Sequence, residues 1–472
     1  MEQKPNVILV ICDTLRADYL GCYGNKIVKT PNIDKFSEEC ILFKNAYAES
    51  LPTIPVRRAV FTGRRAYPFR NYKPLKWDIV YLPGWQPLDN DEDTLTENLV
   101  EKGYHTGFVT DTLHYFTPGM NFTRGFWQWE FIRGKLQDRW KSPFIVKKED
   151  LEKYGDSEEI LKGSPYNMVI RHTANTSYIR SEFDFSIVQL FRWAMDFVEE
   201  NYTAQPFYLL IDSFFPHEPW EAPNSYWALY KDPNYKGKTI IHTKYGPSDY
   251  LTSEEIENIK AHYMGLITFI DAWFGLFIEK LKRLNLLENS IIIFTSDHGT
   301  NFADNPKKII GKPHYSMYPS LVRIPLLIRL PKAMNAGRII DKFVYNIDIA
   351  ATIYDITGLL ENKDIRIDGQ SLLPLMINEG EWKEREYLTS RYGDTIWYRD
   401  EKLWAILDID GNILEAFEIK NDQIFMKDIS NETSRDYKNK IWSRILADAG
   451  GEIPDYRYMY PARTDALGEK KN

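Results

Sequence analysis

Four residues of this 472-residue sequence sit where a folded chain could gather them for chemistry. Asp13 follows the apolar run 7–12, His217 lies just past the run 207–212, and Asp297 and His298 close the run 291–295. Each run is short and continuously apolar, as in strands of a parallel sheet covered on both faces. In open α/β sheets, sites form beyond the carboxyl ends of the strands. A single Asp after a strand is commonly a cap or turn residue. Three strands ending in carboxylate or imidazole favour a cluster, and that donor set suits Zn²⁺, Mn²⁺ or a similar ion.

Residues 53–64 read TIPVRRAVFTGR and add a hydroxyl. Pro55 fits the first turn of a helix, which puts Thr53 at or near its N-terminus. Unpaired backbone N–H groups and the helix dipole there favour an anion or an alkoxide. Arg57 is four residues on, on the same helix face, and its guanidinium could fork two oxygens of a phosphate or sulfate group. Taken alone, Thr53 is also an ordinary N-cap and Arg57 an ordinary surface charge.

The elements that must position these residues alternate between strand and helix. Strands are expected at 7–12, 108–110, 207–212, 291–295 and 325–330, and helices at 31–40, 94–102 (stopped by Gly103) and 253–284. Strands alternating with helices argue for an α/β doubly wound sheet. Residues 134–163 are charged and weakly periodic and read as a surface insertion near the substrate opening, or as a solvated loop. After residue 375 come short alternating strands at 395–399, 403–407 and 413–419, with Asp410-Gly411 as a hairpin turn. This divides the chain into a catalytic unit at 1–375, with an insertion at about 112–180, and a small antiparallel unit at 376–472. Of the aromatic clusters, Phe126–Trp129 fits core packing, whereas Trp220, three residues after His217, is a candidate to line a substrate cleft.

Several ordered motifs resemble the sulfatase family of the alkaline phosphatase superfamily. NVILVICDTLRADYLGCYGN is similar to its first strand and metal loop, TIPVRRAVFTGR to its C/S-x-P-x-R…TG motif, and FFPHEPW to its catalytic histidine segment. IIIFTSDHG, a following GK, VRIPLLIRLP, NIDIAATIYDITG and DGQSLLPL resemble its later landmarks. The resemblance implies an alkaline phosphatase-like fold, a mostly parallel sheet with a smaller C-terminal α+β unit. It implies that Asp13, Asp297 and His298 bind one divalent cation (Mn, Zn, Ca or Mg) together with the oxygen of Thr53. Arg57 would brace the nucleophile and the anionic group, and His217 and Lys312 would stabilise or protonate the leaving oxygen. Thr14 stands where the family often has a further ligand. The family's GKxH segment is here Thr110-Asp111-Thr112-Leu113-His114, without its lysine. A second metal on Asp212, His217 and His314 would need a spacing one residue longer than usual, so a single ion is the expectation. His105, His172, His242 and His262 have no motif context and read as structural or surface residues.

The main departure is at position 53. Sulfatases of this family convert a Cys or Ser to formylglycine, whereas oxidising the secondary alcohol of Thr gives a ketone. The expected enzyme is therefore a metal-dependent hydrolase of phosphodiesters, phosphomonoesters or phosphonate esters that forms a phosphothreonine at Thr53 and uses no formylglycine. The alternatives are a sulfatase using unmodified Thr53 and a catalytically silent anion-binding relative. With 59 Lys+Arg against 67 Asp+Glu the net charge is -8, which offers no basic surplus for nucleic acid. The expected partner is a small anionic ester, without nucleic acid or membrane, with a homo-oligomer left open. Three cysteines, Cys12, Cys22 and Cys40, fit reduced core thiols and a cytoplasmic location.

Overall fold

The computed structural model describes residues 4–74, 80, 82–155, 160, 162, 167–362, 364–420 and 423–459. Its main sheet has eight strands: β1 (Asn6–Cys12), β2 (Ile41–Phe43), β3 (His105–Thr110), β4 (Gln128–Phe131), β5 (Phe207–Ser213), β6 (Ser290–Ser296), β7 (Leu326–Arg329) and β8 (Ile339–Ile340). Their spatial order is β8-β2-β7-β6-β1-β5-β3-β4. The five strands β6, β1, β5, β3 and β4 run parallel to one another. The run expected as the fifth strand, β7, lies antiparallel to β6 and to β2, so the sheet is mixed. The connection from β6 to β7 carries short strands at Asn301–Phe302, Ile309–Gly311 and Arg323–Ile324 and a one-turn helix at Pro319–Val322, but not the long covering helix that parallel crossovers usually have.

The continuous apolar runs are explained by burial on both faces. Ile8, Val10, Cys12, Leu209, Ile211, Ile292 and Phe294 point into a core completed by α1 (Pro31–Glu38), α4 (Ser186–Glu200) and α5 (Ser253–Arg283). The alternate residues Val7, Leu9, Ile11, Leu210, Ile291 and Ile293 point the other way, into a core with α2 (Thr53–Thr62), α3 (Leu95–Glu101) and α6 (Asp348–Ile356). The period of two puts successive side chains on opposite faces, so a strand apolar at every position must be covered twice. Helix α5 has a capping box between Thr252 and Glu255. It is long and apolar enough to cross a membrane, but its most apolar stretch is 78% buried within the protein.

The C-terminal part forms a five-stranded antiparallel meander: β9 (Tyr387–Tyr392), β10 (Thr395–Asp400), β11 (Leu403–Asp408), β12 (Ile413–Lys420) and β13 (Gln423–Asp428), followed by α7 (Arg435–Asp448). Gly411 in the β11–β12 turn takes φ 89°, the conformation that the Asp-Gly pair provides. One face packs Trp397, Trp404 and Phe417 against Tyr47, Val56 and Tyr318 of the larger unit.

Helix α1 shows how the covering layer is tied down. Asp271 of α5 accepts from the backbone N–H groups of Asn32 and Ile33 (3.0 and 2.7 Å) and from Asn32 Nδ2 (2.8 Å). A carboxylate from another helix thus does the work of an N-cap, since Thr30 makes no such bond. Asp271→Ala leaves those donors without partners in a largely buried seam. It should cost about 2 kcal/mol of stability, read as a lower urea midpoint at unchanged slope.

Candidate active site

The parallel register aligns the strand ends. Cys12 pairs with Ser213 on one side and Ser296 on the other, and Thr110 pairs with Asp212. The residues just beyond these pairs therefore meet. The Asp13 N–H donates to Ser213 O (2.8 Å), Thr14 N–H to Asp297 Oδ1 (3.0 Å) and Leu15 N–H to the Ser296 hydroxyl (3.0 Å). Thr14 takes φ 61°, an uncommon state for a β-branched residue, which turns the chain sharply after Asp13. Ligand atoms of Asp13, Asp297 and His298 then lie within 4.8 Å of one another, fully buried.

Helix α2 delivers Arg57 into this cluster. Its Nε and Nη2 donate to the two carboxylate oxygens of Asp212 (both 2.9 Å), its Nη1 donates to Asp297, and Nη2 lies 3.1 Å from Asp13 Oδ2. Asp212 also accepts from the hydroxyls of Thr112 (3.1 Å) and Tyr115. Three carboxylates surround one guanidinium. Burial, then the charge of Asp297, pushes the Asp13 carboxyl well above the carboxylate range, while Arg57 and the Thr14 N–H counter the effect of burial and hold Asp297 down at about 2.

The residues present fit a divalent cation. Both Asp13 carboxylate oxygens, the Thr14 hydroxyl and His298 Nε2 are buried without a hydrogen bond, the Asp13–Arg57 contact being an ion pair only. His298 Nδ1 lies 2.8 Å from the Gly299 carbonyl, which can only accept, so the proton is on Nδ1. Burial pushes His298 below its ordinary value, so the ring is neutral and the Nε2 lone pair is bare. Hard carboxylates with one imidazole, and an outer hydrogen bond that fixes the tautomer, form a metal-type donor set.

Thr53 begins α2 and, with His217 and Lys312, lines a cleft of about 600 Å³. His217 Nδ1 donates to the Glu218 carbonyl (2.6 Å), and burial together with Lys312 pushes the ring far below its usual value. Its Nε2 can therefore only accept, and Lys312 Nζ lies 3.2 Å from it. Lys312 also donates to both carboxylate oxygens of Glu218 (2.6 and 2.7 Å), and Tyr245 donates its hydroxyl to the same group. In this trio the lysine is the proton donor and the histidine the acceptor.

The structure thus places Thr53, His217 and Lys312 on one cleft and Asp13, Asp297 and His298 in one cluster. Arg57 joins the two, since its Nη1 also lies 3.4 Å from the Thr53 carbonyl. Asp212 is taken up by Arg57, and His314 lies 3.1 Å from the Thr395 hydroxyl. Among the described residues, Asp13, Asp297 and His298 are the one group of three that could hold an ion. Trp220 does not line the cleft. It is fully buried against Phe302, because the His217 loop turns inward after Glu218. Conversely His242 does line the cleft, stacked on Tyr245, and so does His114, whose ring burial pushes down to about 3. Leu136 and Gln137 of the insertion form part of the wall. Glu218, Tyr245 and Tyr115 were not singled out from sequence. Glu218, adjacent to His217 in FFPHEPW, is the one that could have been.

The sulfatase family model matches residues 5–359, and a model described as N-sulphoglucosamine sulphohydrolase, C-terminal matches 314–440. The chain belongs to the sulfatase family. It is 23% identical to an N-acetylglucosamine-6-O-sulfatase of Bacteroides thetaiotaomicron, over 93% of this chain and 87% of that protein. It is 25% identical to an arylsulfatase of Clostridium perfringens, over 93% and 92%. The crystal structure of a phosphonate monoester hydrolase of Agrobacterium radiobacter superposes with a TM-score of 0.72 at 19% identity, covering 99% of this chain and all of that one. As a sulfatase-family hydrolase the chain is an enzyme of the alkaline phosphatase superfamily, whose members generally use a divalent metal.

The charge balance of the cluster gives a test. Without a cation the raised Asp13 carboxyl holds a proton that the unfolded chain has already lost. The stability of the chelated protein therefore falls as pH rises from the ordinary Asp range toward the folded value. A cation replaces that proton. Addition of Mn²⁺ to chelator-treated protein should raise Tm by several degrees at pH 7.5 and by clearly less at pH 5.5, as read by differential scanning calorimetry.

Proposed function

We propose that this sulfatase-family hydrolase cleaves phosphorus esters, namely phosphodiesters, phosphomonoesters or phosphonate esters, with the unmodified Thr53 as nucleophile. The observation that carries this reading is a threonine at the head of α2, opening onto the cleft that His217 and Lys312 also line. A secondary alcohol has no route to an aldehyde, so the attacking atom is the Thr53 hydroxyl oxygen itself. Asp13, Asp297 and His298 would hold a divalent cation, which would supply Lewis-acid polarisation at the reacting centre. The residues of the chain do the rest. Arg57, anchored by Asp212, holds positive charge next to Thr53. Thr53 Oγ1 gives up its proton to solvent and bonds to phosphorus as the bond to the leaving oxygen breaks; that oxygen takes a proton from the Lys312–His217 side, which solvent restores. Water then cleaves the phosphothreonine and restores the hydroxyl. A sulfated threonine has no such easy exit, because the elimination open to a formylglycine hydrate is closed to it.

Turnover of aryl phosphomonoester, phosphodiester, phosphonate and sulfate substrates by the Mn²⁺-loaded protein tests this directly. Thr53→Ala should lower phosphodiester or phosphonate turnover by about a thousandfold or more, and a quenched reaction should show a phosphate mass on the peptide carrying Thr53. The names of the relatives favour a second reading, sulfuric ester hydrolysis by the same threonine. Sulfate turnover far above that of every phosphorus ester would establish it and sink the first. No metal-dependent turnover on any substrate, with wild type equal to Thr53→Ala, would favour an anion-binding relative without catalysis.

The roles of Lys312 and His217 separate by leaving group. Lys312→Met should slow esters of poor leaving groups by about 10²–10⁴-fold, while esters with good leaving groups change little. A plot of log kcat against leaving-group pKa should steepen in the variant. Parallel plots would remove the proton-donor role.

A further inference from the structure

A second cavity, of about 1200 Å³ and open to solvent, lies behind the His217 loop. Phe215, Pro219 and Glu221 of that loop line it on one side. Arg133–Lys135 line it on another, and the next two residues, Leu136 and Gln137, line the Thr53 cleft. The two cavities are thus back to back, separated by the same pair of segments.

The charges around this second cavity are nearly all matched. Arg133 forks onto Asp138 (2.8 and 2.7 Å). Glu221 accepts from Lys153 (2.5 Å), Tyr154 (2.7 Å) and His172 (2.7 Å). Glu182 accepts from Trp273 Nε1 (2.8 Å) and Tyr226 (3.1 Å). Lys135 is the exception. It is 7% exposed, and its ammonium makes no hydrogen bond or ion pair among the described residues. It rests 3.4 Å from the ring centre of Phe215. Asp111 is the carboxylate that acts on it most, but its oxygens are taken up by Ser186 Oγ (2.7 Å) and the Phe214 N–H (2.6 Å). A largely buried lysine whose ammonium rests on an aromatic ring and faces the cavity without an anionic partner leaves a place for one on the cavity side. Burial pushes it down only to about 8, so it stays charged at neutral pH. Arg180 adds an exposed guanidinium at the rim, and Ser186 presents the first turn of the fifteen-residue α4.

We propose that this cavity is a second binding site, for a small oxyanion group (phosphate, sulfate or carboxylate) that pairs with Lys135. The inference does not depend on which ester the Thr53 cleft hydrolyses. The oxyanion belongs either to a remote part of the substrate or to a free ligand, and both present the same oxygens to the ammonium.

Equilibrium dialysis of the full chain against labelled inorganic phosphate, without added metal, should reveal two binding equivalents. Lys135→Met should remove one and leave the other, Lys312→Met should weaken the other, and Lys135→Arg should retain both within about tenfold. One equivalent in the wild type, or two in a folded Lys135→Met, would overturn the proposal. Where Lys135→Met does not fold, the acetylation rate of Lys135 in the wild type serves instead, read by peptide mass mapping. Saturating phosphate should slow it at least tenfold, and an unchanged rate would overturn the site. Kinetics assign the source. A KM raised by Lys135→Arg only for an ester carrying a remote carboxylate places the substrate there, and equal KM changes for all esters place a free anion.

Discussion

Much of the catalytic architecture depends on the ion cluster around Arg57. Its guanidinium meets Asp13, Asp212 and Asp297, which come from the ends of three adjacent parallel strands. Buried charges are tolerated only when paired with good geometry, and removing one partner costs more than the pair contributes. The cluster therefore constrains the register of β1 with β5 and β6, the turn after Asp13, and the depth at which α2 docks. Three carboxylates against one guanidinium also leave an excess of negative charge, which Asp13 relieves in the absence of a cation by retaining a proton. The same imbalance both anchors Arg57 and calls for a divalent ion.

The second charge arrangement, Lys312 between Glu218 and His217, follows the opposite logic. Here the cation has a single carboxylate, and the histidine beside it is kept neutral by burial and by Lys312 itself. The excess negative charge thus gathers around Arg57 of α2, and the Lys312 ammonium lies across the cleft beside a neutral imidazole.

Much of this was legible in the sequence for a specific reason. Asp13, Asp297 and His298 follow strands with continuous apolar runs, and parallel register brings such strand ends together whatever the loops do. Thr53 and Arg57 were readable because helical periodicity fixes residues four apart. The antiparallel direction of β7 was not legible, since direction is set by the route of a connection and not by the composition of the strand. Trp220 failed for a similar reason. Its place in the chain is close to His217, but the loop turns after Glu218 and buries the ring on Phe302. His242 and Lys135 come from long connections whose paths leave no periodic trace, so their approach to the two cavities appears only in three dimensions.

The C-terminal sheet explains why the catalytic unit does not end at the last strand of the main sheet. The Leu51 N–H donates to Arg391 O (2.9 Å), so β9 grips the chain two residues before Thr53. The next residue, Tyr392, donates its hydroxyl to the Lys312 carbonyl (2.9 Å) and also lines the cleft. One strand end therefore fixes the entry to α2 and the backbone of Lys312. Gly393, at φ 56°, lets the chain turn away beside His314. The packing of Trp397 and Trp404 on Tyr47 makes this grip rigid, because aromatic faces buried on both sides cannot slide without opening a cavity. The spacing between Thr53 and Lys312 is thus set by the smaller sheet as much as by the larger one.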